Sequence, residues 1–258
     1  MVNTVKISSC ELINADCMEF IQTLPENSVD LIVTDPPYFK VKPEGWNNQW
    51  RGDDDYLNWL DQCLAQFWRV LKPAGSLYLF CGHRLASDIE IMMRERFNVL
   101  NHIIWAKPSG RWNGCNKESL QALFARVAAE KHQRGELEQP HHQLVSTYSE
   151  LNRQYASLQE EYKSLRRYFS VSAAVPYTDV WAHKPVQYYP GKHPCEKPAD
   201  MLRQIIIASS RPGELVADFF MGSGATIKAA LSLGRRAIGV ELEKDRFNQT
   251  FDEIRNNS

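Results

Sequence analysis

Long apolar runs are missing from these 258 residues: no uninterrupted stretch approaches the ~20 residues of a membrane span, and no leader pattern opens the chain. A cytoplasmic protein without a membrane partner is the expectation. Cysteine is sparse and scattered. Its six occurrences, Cys10, Cys17, Cys63, Cys81, Cys115 and Cys195, form no CxxC pair. That argues against a zinc site and against a secreted disulfide framework, so no metal is expected. Net charge is almost absent too, with 30 Lys and Arg against 31 Asp and Glu. Any contact with nucleic acid must therefore come from local basic patches rather than from a generally cationic surface. A GKS or GKT lysine is also lacking, which argues against a triphosphate-binding P-loop.

What is present is an acceptor-rich turn at the end of a buried strand. Val29 to Thr34 (VDLIVT) is β-branched and apolar, follows the turn residues Pro25 to Ser28, and runs into Asp35-Pro36-Pro37-Tyr38. A strand covered on both faces reads this way, and ligands collect past the carboxyl ends of such strands. The two prolines remove two N–H donors and leave carbonyl oxygens. Asp35 adds a carboxylate, and Tyr38 a flat face for stacking. Acceptors in a row suit an amino group, although an ordinary strand-to-loop turn uses the same residue types.

The flanking segments alternate strand and helix, as a doubly wound α/β sheet requires. Leu12-Ile13 is a short strand leading to Asn14-Ala15-Asp16-Cys17 and a helix over Met18 to Leu24. Asp16 reads either as a ligand acceptor beside Asp35 on the next strand or as a helix cap. Tyr56 to Val70 has helical spacing and stops at Lys72-Pro73-Ala74-Gly75; Ser76 to Phe80 is a strand, Leu85 to Phe97 a helix and Asn101 to Trp105 a strand. Two loops interleave aromatic, amide and cationic groups suited to bases and phosphates: one carries Trp46, Asn48, Trp50 and Arg51, the other Lys107, Arg111, Trp112 and Lys117. Inward packing of the first loop's tryptophans is the competing reading.

Near the C-terminus, strand Leu215 to Asp218 precedes Phe219-Phe220-Met221-Gly222-Ser223-Gly224-Ala225-Thr226 and a helix. Glycines there let a ligand approach the backbone, and the helix start supplies free N–H groups. The next strand, Ala237 to Val240, ends at Glu241, the position that accepts hydrogen bonds from ribose hydroxyls in nucleoside-binding sheets. Together these point to a nucleoside ligand without a pyrophosphate.

These motifs resemble the DNA amino-methyltransferases that use S-adenosylmethionine, in the permuted order with DPPY first and FxGxG last. The resemblance implies a Rossmann-like methyltransferase sheet and a cofactor site. Phe220 to Gly224, Asp218 and Thr226 would form the methionine-binding loop, Glu241 would hold the ribose, and Asp16 with Cys17 would lie near the adenine. His193-Pro194-Cys195-Glu196-Lys197-Pro198 resembles the segment opening the helix beside the cofactor, which adds His193, Lys197 and Pro198 as cofactor contacts. Asp35, Pro36, Pro37 and Tyr38 would be the catalytic tetrad acting on a flipped adenine in double-stranded DNA, in a setting such as restriction-modification. Phe219 and Ala225 depart from the family's usual proline and threonine. An N4-cytosine enzyme is the alternative, and an RNA or protein methyltransferase or a non-catalytic DNA-binding scaffold stands further off.

Residues 107–178 read as an inserted helical subdomain between a DPPY half (1–106) and a cofactor half (179–258). After a helix over Glu118 to Arg134, apolar residues recur at Leu144, Tyr148, Leu151, Tyr155, Leu158, Tyr162, Leu165 and Phe169, a coiled-coil seam on a helix roughly 39 Å long. Exposing that much Leu and Tyr is unfavourable for a monomer, so a homodimer through this helix is expected, with packing on the main domain as the competitor. Light scattering should give a dimer at micromolar concentration that a folded Leu151→Glu, Leu158→Glu variant dissociates; a monomeric wild type overturns the dimer.

Overall fold

The computed structural model describes residues 3–39, 50–107, 179–193 and 195–256. In chain order the elements are β1 (Asn3–Ile7), β2 (Cys10–Asn14), α1 (Cys17–Ile21), β3 (Val29–Thr34), α2 (Asp53–Val70), β4 (Leu71–Leu79), α3 (Ala86–Arg94), β5 (Ile104–Ala106) and β6 (Val180–Ala182). They continue with α4 (Ala199–Ser209), β7 (Leu215–Asp218), α5 (Ala225–Ser232), β8 (Arg236–Glu241) and α6 (Lys244–Asn256). The main sheet has the order β1-β2-β8-β7-β3-β4. Every pairing in it is parallel except β1 with β2, a hairpin whose tight turn puts Ser8 at φ 50°. A shorter parallel pair, β5 with β6, brings together the two ends of the chain that flank residues 108–178.

Alternation along each strand builds two cores. Ile13, Ile32, Ala217 and Ile238 face one side, where α1 and α2 bring Phe20, Ile21, Leu60, Leu64 and Phe67. Their neighbours Leu12, Leu31, Val33, Val216 and Ala237 face the other, under Met201, Leu202 and Ile206 of α4 and Ile227 and Ala230 of α5. Strands covered on both faces read as continuous apolar runs, which is why VDLIVT was recognisable as one. The expected doubly wound α/β sheet is therefore present.

Several boundaries differ from the sequence reading. α2 starts at Asp53, three residues before Tyr56, because Asp53, Asp54 and Asp55 suit the positive end of a helix. β4 starts at Leu71, immediately after α2, although Lys72 to Gly75 read as a break; the register against β3 shifts between Val29 and Leu31 to accommodate the segment. α1 covers Cys17–Ile21 and α3 Ala86–Arg94, both shorter than expected, and β5 begins at Ile104. β1 was not anticipated at all. The expected insertion's seam and the helix before it lie outside the described residues; of residues 107–178, Lys107 alone is described.

Sequence neighbours are not sheet neighbours here. Asp16 was expected beside Asp35, yet β8 and β7 lie between their strands. Parallel pairing with crossovers causes this, since β3 returns next to a strand formed almost two hundred residues later.

One buried cation fastens the far side of the fold. Arg235, just before β8, donates from Nη2 to the Ser210 carbonyl at 2.6 Å, from Nε to Ser210 Oγ at 3.1 Å and from Nη1 to the Leu233 carbonyl at 2.6 Å. Arg235→Ala leaves the two buried acceptors on Ser210 and the partly buried Leu233 carbonyl without this donor, and urea unfolding should show a loss of about 2–3 kcal/mol.

Candidate active site

Four carboxylates line the carboxyl edge of the parallel strands. Asp35 follows β3, Asp218 ends β7, Glu241 ends β8, and Asp16 stands two residues past β2. Thr34 Oγ1 donates to Asp218 Oδ1 at 3.0 Å, joining the two central strands under the site. Asp218 also accepts the Phe220 N–H at 3.1 Å and a hydrogen bond from the Thr226 side chain. It is fully buried, and burial pushes its carboxyl up from 3.8 to about 6 in spite of these donors, with the charge of Asp35 adding to the rise.

The tetrad's carboxylate is held from both sides. Tyr38 Oη donates to Asp35 Oδ1, and Lys197 Nζ donates to Asp35 Oδ2. Burial first, and then the Asp35 charge, pushes the Tyr38 phenol far up, so it stays a proton donor to Asp35. Lys197, 9% exposed, also donates to the Cys195 carbonyl at 3.2 Å. Its ammonium lies 5.6 Å from the Tyr38 ring centre and 4.9 Å from that of Phe80. Phe80 and Cys81, just past β4, belong to this site although the sequence reading left them out. The same rule about strand ends that singled out Asp35 would have found them.

An aromatic layer backs the turn. Phe39 stacks on Tyr56 with ring centres 6.0 Å apart, Trp50 meets Tyr56 at 5.0 Å and Trp59 at 4.8 Å, and Trp59 reaches Phe220 of the glycine loop at 5.7 Å. Tyr56 and Trp59 were read only as helix residues, and nothing in their local pattern marks them as neighbours of the site.

The glycine loop is shaped by close approach. Gly222 and Gly224 have φ of 53° and 68°, a region that side chains disfavour. A Cβ on Gly224 would come within 2.5 Å of Thr250 Cγ2, and one on Gly222 within 3.3 Å of the His193 ring. Thr250 Oγ1 donates to the Gly222 carbonyl at 2.8 Å, and Lys228 Nζ to the Ser223 carbonyl at 2.9 Å. Glu241 Oε2 accepts the Gly222 N–H, and Oε1 the Glu243 N–H, both at 2.9 Å. Burial raises the Glu241 carboxyl. His193 is pushed down to about 4 by burial and then by Arg246, so the ring facing Gly222 is neutral. Its Nδ1 accepts the Cys195 N–H at 3.3 Å.

The structure places the other expected site residues as follows. Asp16 is the N-cap of α1, with Oδ1 accepting the Met18 N–H at 2.7 Å and the Glu19 N–H at 3.3 Å. The Cys17 side chain is buried and hydrogen-bonds Cys63 of α2, so its thiol is part of the core. Pro198 is buried at the start of α4. Trp50, expected to meet DNA, is 8% exposed and packs in the aromatic layer instead. The reason is the apolar face of α2 immediately after it. Arg51 is exposed, with its N–H on Asp55 Oδ2 at 3.0 Å, and Lys107 Nζ lies 4.5 Å from the Trp105 ring centre. Trp46, Asn48, Arg111, Trp112 and Lys117 lie outside the described residues.

An acceptor-rich turn and a glycine loop with a strand-end acid, mounted on one mainly parallel sheet, define the Rossmann-like methyltransferase class. The chain belongs to the N6/N4 methyltransferase family of DNA methylases, which it matches over residues 29–252, and it is therefore a DNA methyltransferase. The DNA adenine methyltransferase YhdJ of Escherichia coli (strain K12) is 29% identical over 248 residues, 91% of this chain and 79% of the relative. Among solved structures, M1.HpyAVI in complex with SAM superimposes with a TM-score of 0.61 at 22% identity, covering 95% of this chain and 98% of that one. The cytosine-N4-specific PvuII DNA methyltransferase gives 0.62 at 16% identity, covering 95% and 86%. At these identities the structural likeness speaks for the fold.

The raised Asp218 carboxyl sets a pH signature. Its native value lies above the unfolded one, so the folded state holds the proton more tightly. The stability this contributes is full below pH 3.8 and is lost as pH rises through about 6. Urea midpoints measured across that window should fall with rising pH more steeply for wild type than for Asp218→Asn.

Proposed function

We propose that this DNA methyltransferase takes its methyl group from S-adenosylmethionine and delivers it to the exocyclic N6 amino group of an adenine rotated out of double-stranded DNA. The observation that carries the reading is the ligation of Asp35. A carboxylate followed by two prolines without N–H groups already binds a nitrogen donor, the Lys197 ammonium, beside an aromatic face.

The residues present suit the cofactor. Glu241 spends one lone pair of each oxygen on a backbone N–H, and a carboxylate offers about four such positions, which leaves acceptors for two ribose hydroxyls. Gly222 and Gly224 keep side chains away from the loop that a methionine portion would approach. When bound, S-adenosylmethionine supplies an electrophilic methyl group on a sulfonium. The remaining work belongs to this chain. Asp35 and the Pro36 carbonyl accept the two amino hydrogens and aim the nitrogen lone pair along the line of transfer. Tyr38 stacks on the base, which has to leave the duplex because its amino group is otherwise paired. As the nitrogen becomes positive, the carboxylate stabilises it; the nitrogen gains the methyl group, the electron pair of the broken methyl–sulfur bond would stay with the cofactor's sulfur, and the nitrogen releases one proton to solvent.

Asp in the first position of the tetrad and the adenine-specific name of the YhdJ relative favour adenine. The family covers both N6 and N4 enzymes, so cytosine is the alternative. Incubation with methyl-labelled cofactor and separate DNA, RNA and protein substrates should label DNA. Nucleosides from the labelled DNA should contain N6-methyladenine, and N4-methylcytosine in its place overturns the base assignment. Asp35→Ala should lose more than tenfold in turnover, a barrier rise above about 1.4 kcal/mol, while equilibrium dialysis shows that cofactor binding persists.

A further inference from the structure

Lys197 makes a set of contacts that a structural ion pair does not need. Its ammonium donates to Asp35 Oδ2 and to the Cys195 carbonyl at 3.2 Å, and it lies 5.6 Å from the Tyr38 ring centre and 4.9 Å from that of Phe80. The side chain is about nine-tenths buried, at 10% exposure, and Asp35 at 19% is little more open. Carboxylate, carbonyl and two aromatic rings make a small cage for a nitrogen cation. The exocyclic amine of a flipped base asks for the same things: a carboxylate to take an N–H and an aromatic ring to stack on.

We propose that Lys197 is a built-in placeholder whose ammonium occupies the seat of the target amino group until a base displaces it. The proposal rests on Asp35 being the acceptor of that amine. Asp35 then keeps a cation on Oδ2, beside the Tyr38 hydroxyl on Oδ1, while the site is empty, which spares a largely buried carboxylate from standing without a counter-charge. Entry of a base exchanges a hydrogen bond charged on both sides for one in which only the carboxylate is charged. Only a base that brings its own N–H to Asp35 and a surface for Tyr38 offsets that exchange, so the lysine acts as a selectivity filter. If the ammonium is withdrawn in about one molecule in ten, the observed affinity for flipped DNA is about tenfold below the intrinsic one.

The test uses a duplex that wild type methylates, with S-adenosylhomocysteine present so that binding is read without turnover. Lys197→Ala should bind this duplex about tenfold more tightly than wild type. Methylammonium chloride should refill the vacated seat and weaken the variant's binding competitively with DNA, whereas tetramethylammonium chloride at equal ionic strength should not. Wild type should respond equally to the two salts, because its seat is already filled. A lysine that only braces the fold predicts the reverse, with weaker binding by the variant and no difference between the salts, and that result overturns the proposal. Lys197→Met, of similar length and without an N–H donor, is read in the same way if thermal melting shows that the alanine variant does not fold. Failure of the DNA-methylation reading has a separate signature, since wild type would then transfer no label to DNA at all.

Discussion

Carboxylates crowd one edge of this sheet, and the site is arranged so that none of them stands without a donor. Burial of an unpartnered ion is costly, and each acid meets the constraint with different chemistry. Asp16 takes two N–H groups at a helix start, Glu241 takes two from the loops beside it, and Asp218 takes two threonine hydroxyls and a backbone N–H while its carboxyl rises to about 6. Among the described residues, Asp35 alone of these four is met by a cation. That difference is the basis of the proposal that a nitrogen-bearing substrate replaces the donor on Asp35.

The sheet order turns this electrostatic arrangement into a site. β7 and β3 lie side by side at the centre, so the loops leaving them, the glycine loop and the tetrad, start from adjacent strand ends. In open α/β sheets this is where connections diverge to opposite faces and leave a crevice. Helix α4 completes it from the second layer, because the segment before it brings His193 over Gly222 and Lys197 onto Asp35. Aromatic rings close the opposite side, with Trp59 linking the layer behind the tetrad to Phe220. Two loops far apart in sequence are thus braced by contacts that neither loop encodes alone.

Much of this was legible in the residues. VDLIVT announced a buried strand because β-branched runs covered on both faces leave no room for polar alternation, and the position of Asp35 at its end followed from the general geometry of parallel sheets. Gly222 and Gly224 announced a loop open to close approach, and the structure adds that both have left-handed backbone. Phe80 and Cys81 were accessible by the same rule and were passed over, because nothing in their chemistry alone marks them. Trp50 misled because a tryptophan beside an arginine looks like a nucleic-acid contact, whereas its surroundings are set by the apolar stripe of α2.

The sequence by itself determined which chemistry was available: an acid-proline-proline-tyrosine turn, a glycine loop, a strand-end glutamate and a histidine-to-lysine segment, each identified by local backbone and side-chain requirements that act over a few residues. Tertiary structure decided who meets whom. It separated Asp16 from Asp35 by two strands and turned Trp50 inward. It also carried Lys197 across a separation of 162 residues to the tetrad. Local propensity cannot contain such pairings, because crossover connections let any strand choose a partner from the distant chain, and only the simultaneous burial of both sheet faces fixes that choice.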